Sequence, residues 1–348
     1  MITMRKLIIM HPAEIDNGFY SSAVPQDLLE LEFYDANKNY GIDAAFLYDW
    51  FLSPWKHQVE QELRSGRQII IDFKTEHFFF VPNEPYLKLL SQYPNQHLFL
   101  ISANGSGVVD GINVSAVPNW FWWEMQRNYK QHGLDKYVPA PTHQKKFFCQ
   151  IRGARRWRDL FLEKITPLLD QSLYSYVEKG IYLPGDMPND FEHGPSNFQR
   201  HVNVNWYNNT DFTLTVESSA LPFNAELYCV KLVKNHGVFL SEKSYKPLGM
   251  LHPFMIVGQQ HTLKCIRQSG FETFPELWDE SYDDEINFYK RIELIMKNIK
   301  QFDFRTLSNP VVQEKLHFNR NRFFDKNIVD QKMKQQIIDP ILKFLNIQ

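Results

Sequence analysis

Cysteine is scarce in this 348-residue sequence. Cys149, Cys229 and Cys265 are an odd number with no CxxC spacing, which argues against a disulfide framework and a cysteine-built structural zinc site. Such usage fits a reducing, cytoplasmic compartment. Net charge is nearly absent as well: 38 Lys and Arg stand against 40 Asp and Glu, so no whole-molecule field draws the chain to nucleic acid or an anionic membrane. Any anion site must therefore be local. Long apolar runs are missing too, none approaching the roughly 18 to 20 residues of a membrane span, which leaves peripheral contact as the only membrane role expected. The run Leu7–Met10, followed by His11-Pro12, is too short for a signal-peptide core and reads as a first strand.

What is present points to packed cores. The chain is 43% hydrophobic and 15% aromatic, and its length suits two domains of ordinary size. Short apolar runs alternate with helix-like stretches in the manner of α/β layers. Strands are expected at Leu7–Met10, Ala44–Leu47, Gln68–Phe73 and His97–Ser102, with helices at Pro54–Ser65 and Pro85–Tyr93. The proline-bearing segment Tyr137–Thr142 marks a domain boundary. Beyond it, strands are expected from Lys146 to Cys149 and at Phe212–Val216, Val238–Leu240 and Pro253–Val257. Charged helical patterns follow at Glu285–Lys300 and Asn327–Leu345, the last expected to pack back across both halves. The organisation read from this is a first domain over 1–140, a second over 141–310 and a helical segment over 311–348.

The strongest local signal is Gly237-Val238-Phe239-Leu240-Ser241-Glu242-Lys243-Ser244-Tyr245-Lys246, followed by Pro247-Leu248-Gly249. Ser241 can cap a helix, whose N-terminus would offer free N–H groups and a dipole to an anion, with Lys243 and Lys246 adding charge for a diphosphate. Glu242 at the same mouth can accept both hydroxyls of a ribose diol. A capped surface helix with an exposed Glu-Lys pair explains the same residues. A second segment runs from Lys145 through Arg152-Gly153-Ala154-Arg155-Arg156-Trp157-Arg158, an apolar strand leading into a basic loop and helix. Its guanidinium groups, Arg155 and Arg158 on one helix face, would stand at the C-terminal edge of a sheet, where open α/β folds bind ligands. A solvated basic helix or an RNA-binding patch remains open, although the cluster is isolated. In the third, Phe212-Thr213-Leu214-Thr215-Val216-Glu217-Ser218, a strand delivers Glu217 to that same edge as a ligand or as a structural hydrogen-bond partner.

The order of these segments, with Pro253-Phe254-Met255-Ile256-Val257-Gly258, Gly270-Phe271-Glu272-Thr273-Phe274 and Asp279-Glu280-Ser281-Tyr282-Asp283 after them, resembles glycosyltransferases related to the α-1,3-fucosyltransferase family. The likeness covers roughly 145 to 325; residues 1 to 140 share only the layout. It implies a GT-B fold, two Rossmann-like domains facing across a cleft, with a nucleoside diphosphate sugar as donor and a glycan as acceptor. It also implies donor contacts from Glu242, Lys243 and one of Arg152, Arg155 or Arg156. One departure is Glu217-Ser218-Ser219-Ala220, where that family usually carries Asn after the earlier Glu and polar residue.

An inverting reaction would need a base from the first domain, and Asp72, Glu76, His11 and Glu14 follow its strands. No metal or cofactor is expected, since the cations above can neutralise a departing diphosphate. The acidic run Asp279–Glu285 contains no Asp-x-Asp and reads as helix capping. The loop Ser102–Gly107 lacks dinucleotide-fingerprint spacing. Trp120-Phe121-Trp122-Trp123 suits a core or a sugar-stacking platform. A non-catalytic nucleotide- or glycan-binding module on the same scaffold is the alternative.

Overall fold

A strand covered by helices on both faces has no solvent side, so it reads as a nearly unbroken apolar run. Gln68–Phe73, Lys145–Ile151 and Phe254–Val257 carry such runs, and each is a strand of a parallel sheet. The computed structural model describes residues 115–152, 156–183, 202–217, 220 and 238–344 in full. Before residue 115 it describes Arg64 and the backbone of the strands named below. The protein is α/β, with two compact units. Unit 1 comprises Met1–Trp120, Leu227–Gly237 and Asp330–Gln348, and unit 2 comprises Phe121–Glu226 and Val238–Val329.

Unit 1 contains β1 (Arg5–His11), β2 (Leu29–Asp35), β3 (Gln68–Phe73), β4 (Leu98–Ser102), β5 (Gly107–Val109) and β6 (Ile112–Ala116). They form one sheet in the order β2-β1-β3-β4-β6-β5, parallel except for β5, which runs antiparallel to β6. β2 and β3 flank β1 on opposite sides, so the winding reverses there, and ligands of open α/β sheets bind beyond the strand ends at such a reversal. Asp72 stands near the C-terminal end of β3, in register with Ile101 of β4. Glu14 and Glu76 lie outside the described residues. The last helical stretch rejoins this unit: Gln336 accepts from Ser115 Oγ at 3.0 Å through its carbonyl and donates its amide to Asn119 Oδ1 at 2.8 Å.

Unit 2 contains β7 (Lys145–Ile151), β8 (Ser172–Tyr176), β9 (Thr210–Val216) and β10 (Phe254–Val257), all parallel, in the order β10-β9-β7-β8. The winding is that of the first four strands of unit 1, with the reversal between β7 and β9. Aromatic rings fill the core: Phe212 lies 5.6 Å from Phe147, 5.4 Å from Trp278 and 5.0 Å from Phe302, centroid to centroid.

Helix α1 (Trp120–Gln131) buries Trp120, Phe121, Trp122 and Trp123, which makes this cluster core rather than a sugar platform. The Trp122 indole and the Gln126 amide both donate to Phe323 O, at 3.0 and 2.9 Å, satisfying a carbonyl at the end of α2 (Pro310–Phe324). Helix α3 (Phe288–Gln301) begins where the Asn287 side chain accepts from Tyr289 N and Lys290 N. Phe288, Ile292, Ile295 and Ile299 form its buried stripe, each Ile contributing about 1.5 to 3 kcal/mol of apolar burial.

The expected strand Val238–Leu240 joins no sheet among the described residues. Side chains take its donors instead: Phe239 N reaches Gln259 Oε1 at 2.9 Å, and the next residue, Ser241, gives its N–H to Glu217. The proline-bearing segment Tyr137–Thr142 lies within unit 2 and is pinned by two asparagines. Thr142 N donates to Asn208 O at 2.7 Å, Ala140 N to Asn208 Oδ1 at 2.9 Å and Lys145 N to Asn209 O at 2.9 Å. The expected strand Ala44–Leu47 and helix Pro85–Tyr93 lie outside the described residues, as does Pro54–Ser65 apart from Arg64, which is helical.

Candidate functional site

The residue after β7 is Arg152 and the residue after β9 is Glu217, so both stand at the C-terminal edge of unit 2 where the winding reverses. Above that edge lies helix α4 (Glu242–Gly249). Ser241 caps it in an extended conformation, its Oγ accepting from Lys243 N at 3.3 Å. Pro247 inside this helix has no N–H for the carbonyl of Lys243, and the Thr215 hydroxyl of β9 donates to that oxygen instead, at 3.3 Å. A Cβ on Gly249 would meet Phe323 Cε1 at 2.8 Å and Tyr129 Cδ2 at 3.0 Å, so glycine is what lets α2 and α1 pack this closely.

Glu217 faces inward and is fully buried. Its carboxylate accepts from Ser241 N at 3.0 Å, from Ser241 Oγ at 2.6 Å and from Ser244 Oγ at 2.5 Å. Its backbone is held as well, its N–H donating to Val257 O at 3.0 Å and its carbonyl accepting from Arg158 Nη2 at 2.9 Å. Arg158 is therefore an interior residue beneath the edge rather than part of a surface face, and its guanidinium lies 5.4 Å from the Trp157 ring.

The N–H groups of the α4 N-terminus are not free for an anion, contrary to expectation. Ser241 N is taken by Glu217, Lys243 N by Ser241 Oγ and Ser244 N by Ser241 O, at 3.2 Å for the last. The Glu242 carboxylate takes a backbone hydrogen bond from its own residue. Side-chain cations are what remain for phosphate. Lys243 Nζ lies 2.6 Å from Glu242 Oε1, with Glu242 buried and Lys243 only 17% exposed. Burial pushes the Glu242 carboxyl up, but the ammonium groups of Lys243 and Lys246 outweigh it and hold the group below its ordinary range. Beneath α4, Gln150, Tyr207, Thr215, Lys243 and Lys246 line a pocket with room for about one water. That space is too small for a nucleotide. Arg152 is half-buried, Arg156 is exposed at the start of the helix Arg156–Ile165, and Arg155 lies outside the described residues.

One buried residue of this edge lies in none of the motifs read from the sequence. Arg291 of α3 is 1% exposed, and its guanidinium donates to Ala220 O at 3.0 Å, Gly258 O at 2.5 Å and Glu285 O at 2.9 and 2.7 Å. It ties together the chain leaving β9, the chain leaving β10 and the loop before its own helix. Its signal in the sequence is an arginine set among the apolar positions Phe288, Ile292 and Ile295.

The acidic run serves as capping, though not of the helix that follows it, which Asn287 caps. Asp283 accepts from Leu263 N at 2.8 Å and Lys264 N at 3.0 Å, capping helix α5 (Thr262–Gln268). Glu280 accepts from Phe274 N at 2.8 Å, Thr273 Oγ1 at 2.8 Å and Arg267 Nη1 at 2.9 Å. Among the described residues, no group of His, Cys, Asp or Glu is arranged to hold a metal, and no helix is long and apolar enough to cross a membrane. Comparison of the chain with protein-family models, with curated proteins and with solved structures returned no match.

Proposed function

We propose that unit 2 binds a nucleoside diphosphate sugar and that the protein transfers the sugar to a glycan hydroxyl held by unit 1, as a GT-B glycosyltransferase. The observation that carries this reading is the Glu242–Lys243 pair, a buried carboxylate and a partly exposed ammonium standing where a parallel sheet reverses its winding. Glu242 is the acceptor for a ribose diol and Lys243 the cation for the diphosphate, each exchanging its present partner for the ligand. Arg152 and Arg156, with Arg155 between them in the sequence, supply further positive charge for the leaving group, so the reaction proceeds without a divalent ion. The resemblance to α-1,3-fucosyltransferase relatives, drawn in part from this same segment, implies the same residues. The scarce cysteines without CxxC spacing favour a reducing, cytoplasmic compartment.

Calorimetry in a chelating buffer tests the donor site, with GDP, UDP, ADP and CDP and their nucleosides as probes. Lys243→Ala should weaken the diphosphate by about 1.5 to 3 kcal/mol and the nucleoside little, because a charge-assisted contact to phosphate is lost. Glu242→Gln should weaken both alike. Wild-type binding of both ligands by both folded variants would reduce the turn to a capped helix. Binding without any donor turnover would instead make the protein a non-catalytic module.

The base of an inverting transfer is Asp72 or Glu76, both at or beyond the C-terminal end of β3. Asp72→Asn or Glu76→Gln should lower turnover at least about tenfold while donor affinity holds, since the group acts on the acceptor hydroxyl. Full activity in both variants would remove the base from this strand end.

A further inference from the structure

Glu217 sits where a donor ligand was expected to find a contact, yet its carboxylate is turned away from any such ligand. Both ends of that carboxylate hold the turn that carries Glu242 and Lys243: Oε1 takes Ser241 N and Ser244 Oγ, and Oε2 takes Ser241 Oγ. The residue itself cannot shift easily. Its N–H is bonded to Val257 of β10, its carbonyl to the buried Arg158, and its side chain is wholly enclosed. The position of Ser241 is thus keyed to the strand ends of the sheet rather than to the packing of α4 alone.

We propose that Glu217 is a positioning residue for the donor site, a fixed internal hydrogen-bond acceptor that holds the Ser241–Lys243 turn over the edge of the sheet and occupies the Ser241 N–H. The proposal rests on the reading of that turn as the nucleotide contact. Without the carboxylate, Ser241 N and the hydroxyls of Ser241 and Ser244 lose a common acceptor. Glu242 and Lys243, the next residues along, then lose their register with β9. A glutamine at 217 can fill the same place, because serine hydroxyls rotate to donate to its oxygen or accept from its amide.

The experiment compares wild type with Glu217→Ala, Glu217→Gln and Ser244→Ala by calorimetry with GDP, UDP, ADP and CDP and their nucleosides, in sodium chloride and in equimolar sodium formate. Glu217→Ala should weaken nucleoside and diphosphate alike by about tenfold, as loss of an outer-shell partner does at other sites. Glu217→Gln should stay within about threefold of wild type. Formate, a carboxylate small enough for the space left by the side chain, should restore affinity in Glu217→Ala and in no other variant. A folded Glu217→Ala with wild-type affinity would overturn the proposal, as would a loss that formate leaves untouched while Glu217→Gln loses as much. If Glu217→Ala does not fold, Ser244→Ala decides: both ligands should weaken by about threefold, and unchanged binding counts against the role. A wild type that binds none of these nucleotides would instead overturn the donor-site reading itself.

Discussion

Arg291→Met is expected to lower the opening free energy of the β9 and β10 amides by about 3 kcal/mol, among the largest effects of any single change in unit 2. The reason is what the guanidinium holds. It is buried and bonded to the carbonyls of Ala220, Gly258 and Glu285, with no carboxylate among these contacts. Burial lowers its proton affinity, the carboxylates of Asp283 and Glu285 raise it, and burial prevails, so the cation is retained at a desolvation cost. Methionine recovers that cost but leaves buried carbonyls without donors, each worth about 1 to 3 kcal/mol. Lysine should recover only a part, because a single ammonium cannot span carbonyls on separate segments as a planar fork does. Hydrogen exchange of Thr210–Val216 and Phe254–Val257 reads the quantity directly and avoids assuming two-state unfolding in a protein of two units. A change below about 1 kcal/mol would show that water or neighbouring amides replace the guanidinium freely.

The same residue shows where sequence reasoning stops. The apolar stripe of α3 is Phe288, Ile292, Ile295 and Ile299, and the helix lies within a turn of the expected Glu285–Lys300. An arginine within the stripe signals something unusual, but its partners are backbone carbonyls from three other places in the chain, and no side-chain pattern marks those. Gln68–Phe73 is found as expected, residue for residue, because a run of β-branched isoleucines favours the extended backbone. Leu29–Asp35 opens with alternating leucine and glutamate, and Ser172–Tyr176 breaks its Leu and Tyr residues with serines, so neither shows the continuous apolar run that identifies its neighbours. Helix α2 lies, but for Pro310, within the helical segment expected over 311–348, but its buried face is not marked in the sequence. Its buried positions Val312, Leu316 and Phe323 are interrupted by Asn319 and Arg320, which are buried through bonds to the backbone of Glu272, Leu134 and Asp135.

At the candidate site, the cap at Ser241 and the adjacent Glu242 and Lys243 are legible because capping is local in sequence. The use of the N–H groups around that cap is not. It depends on Glu217, 24 positions earlier, and on the sheet order that brings the end of β9 beneath α4. A carboxylate at a strand end looks the same whether it faces a ligand or a helix. Burial distinguishes the two, and burial is a tertiary property.

His252 should make the stability of unit 2 fall by about 3 kcal/mol between pH 7 and pH 4, beyond the change seen once this residue cannot titrate. The imidazole is 6% exposed, with Nε2 donating to Thr210 O at 2.9 Å and Nδ1 accepting from the Thr213 hydroxyl at 2.8 Å. Burial pushes its pKa from the ordinary 6.5 down to about 4, with the bond to Thr210 opposing only in part. Between those values the unfolded chain carries a proton on this ring that the folded chain does not. Stability therefore rises with pH through the window and is lost as pH falls toward 4. Asp211, Glu280 and Asp283 act in the opposite sense, since burial holds their carboxyls above the ordinary range and their protonation favours the fold. Wild type alone therefore shows a sum, and the comparison with His252→Gln isolates the histidine. Glutamine keeps a donor for Thr210 O and has no proton to gain. Exchange of the β9 and β10 amides at about pH 7 and about pH 4.5 should show a steeper loss of opening free energy in wild type than in the variant, by about 2 kcal/mol. Parallel slopes would mean that the unit opens around His252 and hydrates the ring before the sheet is lost.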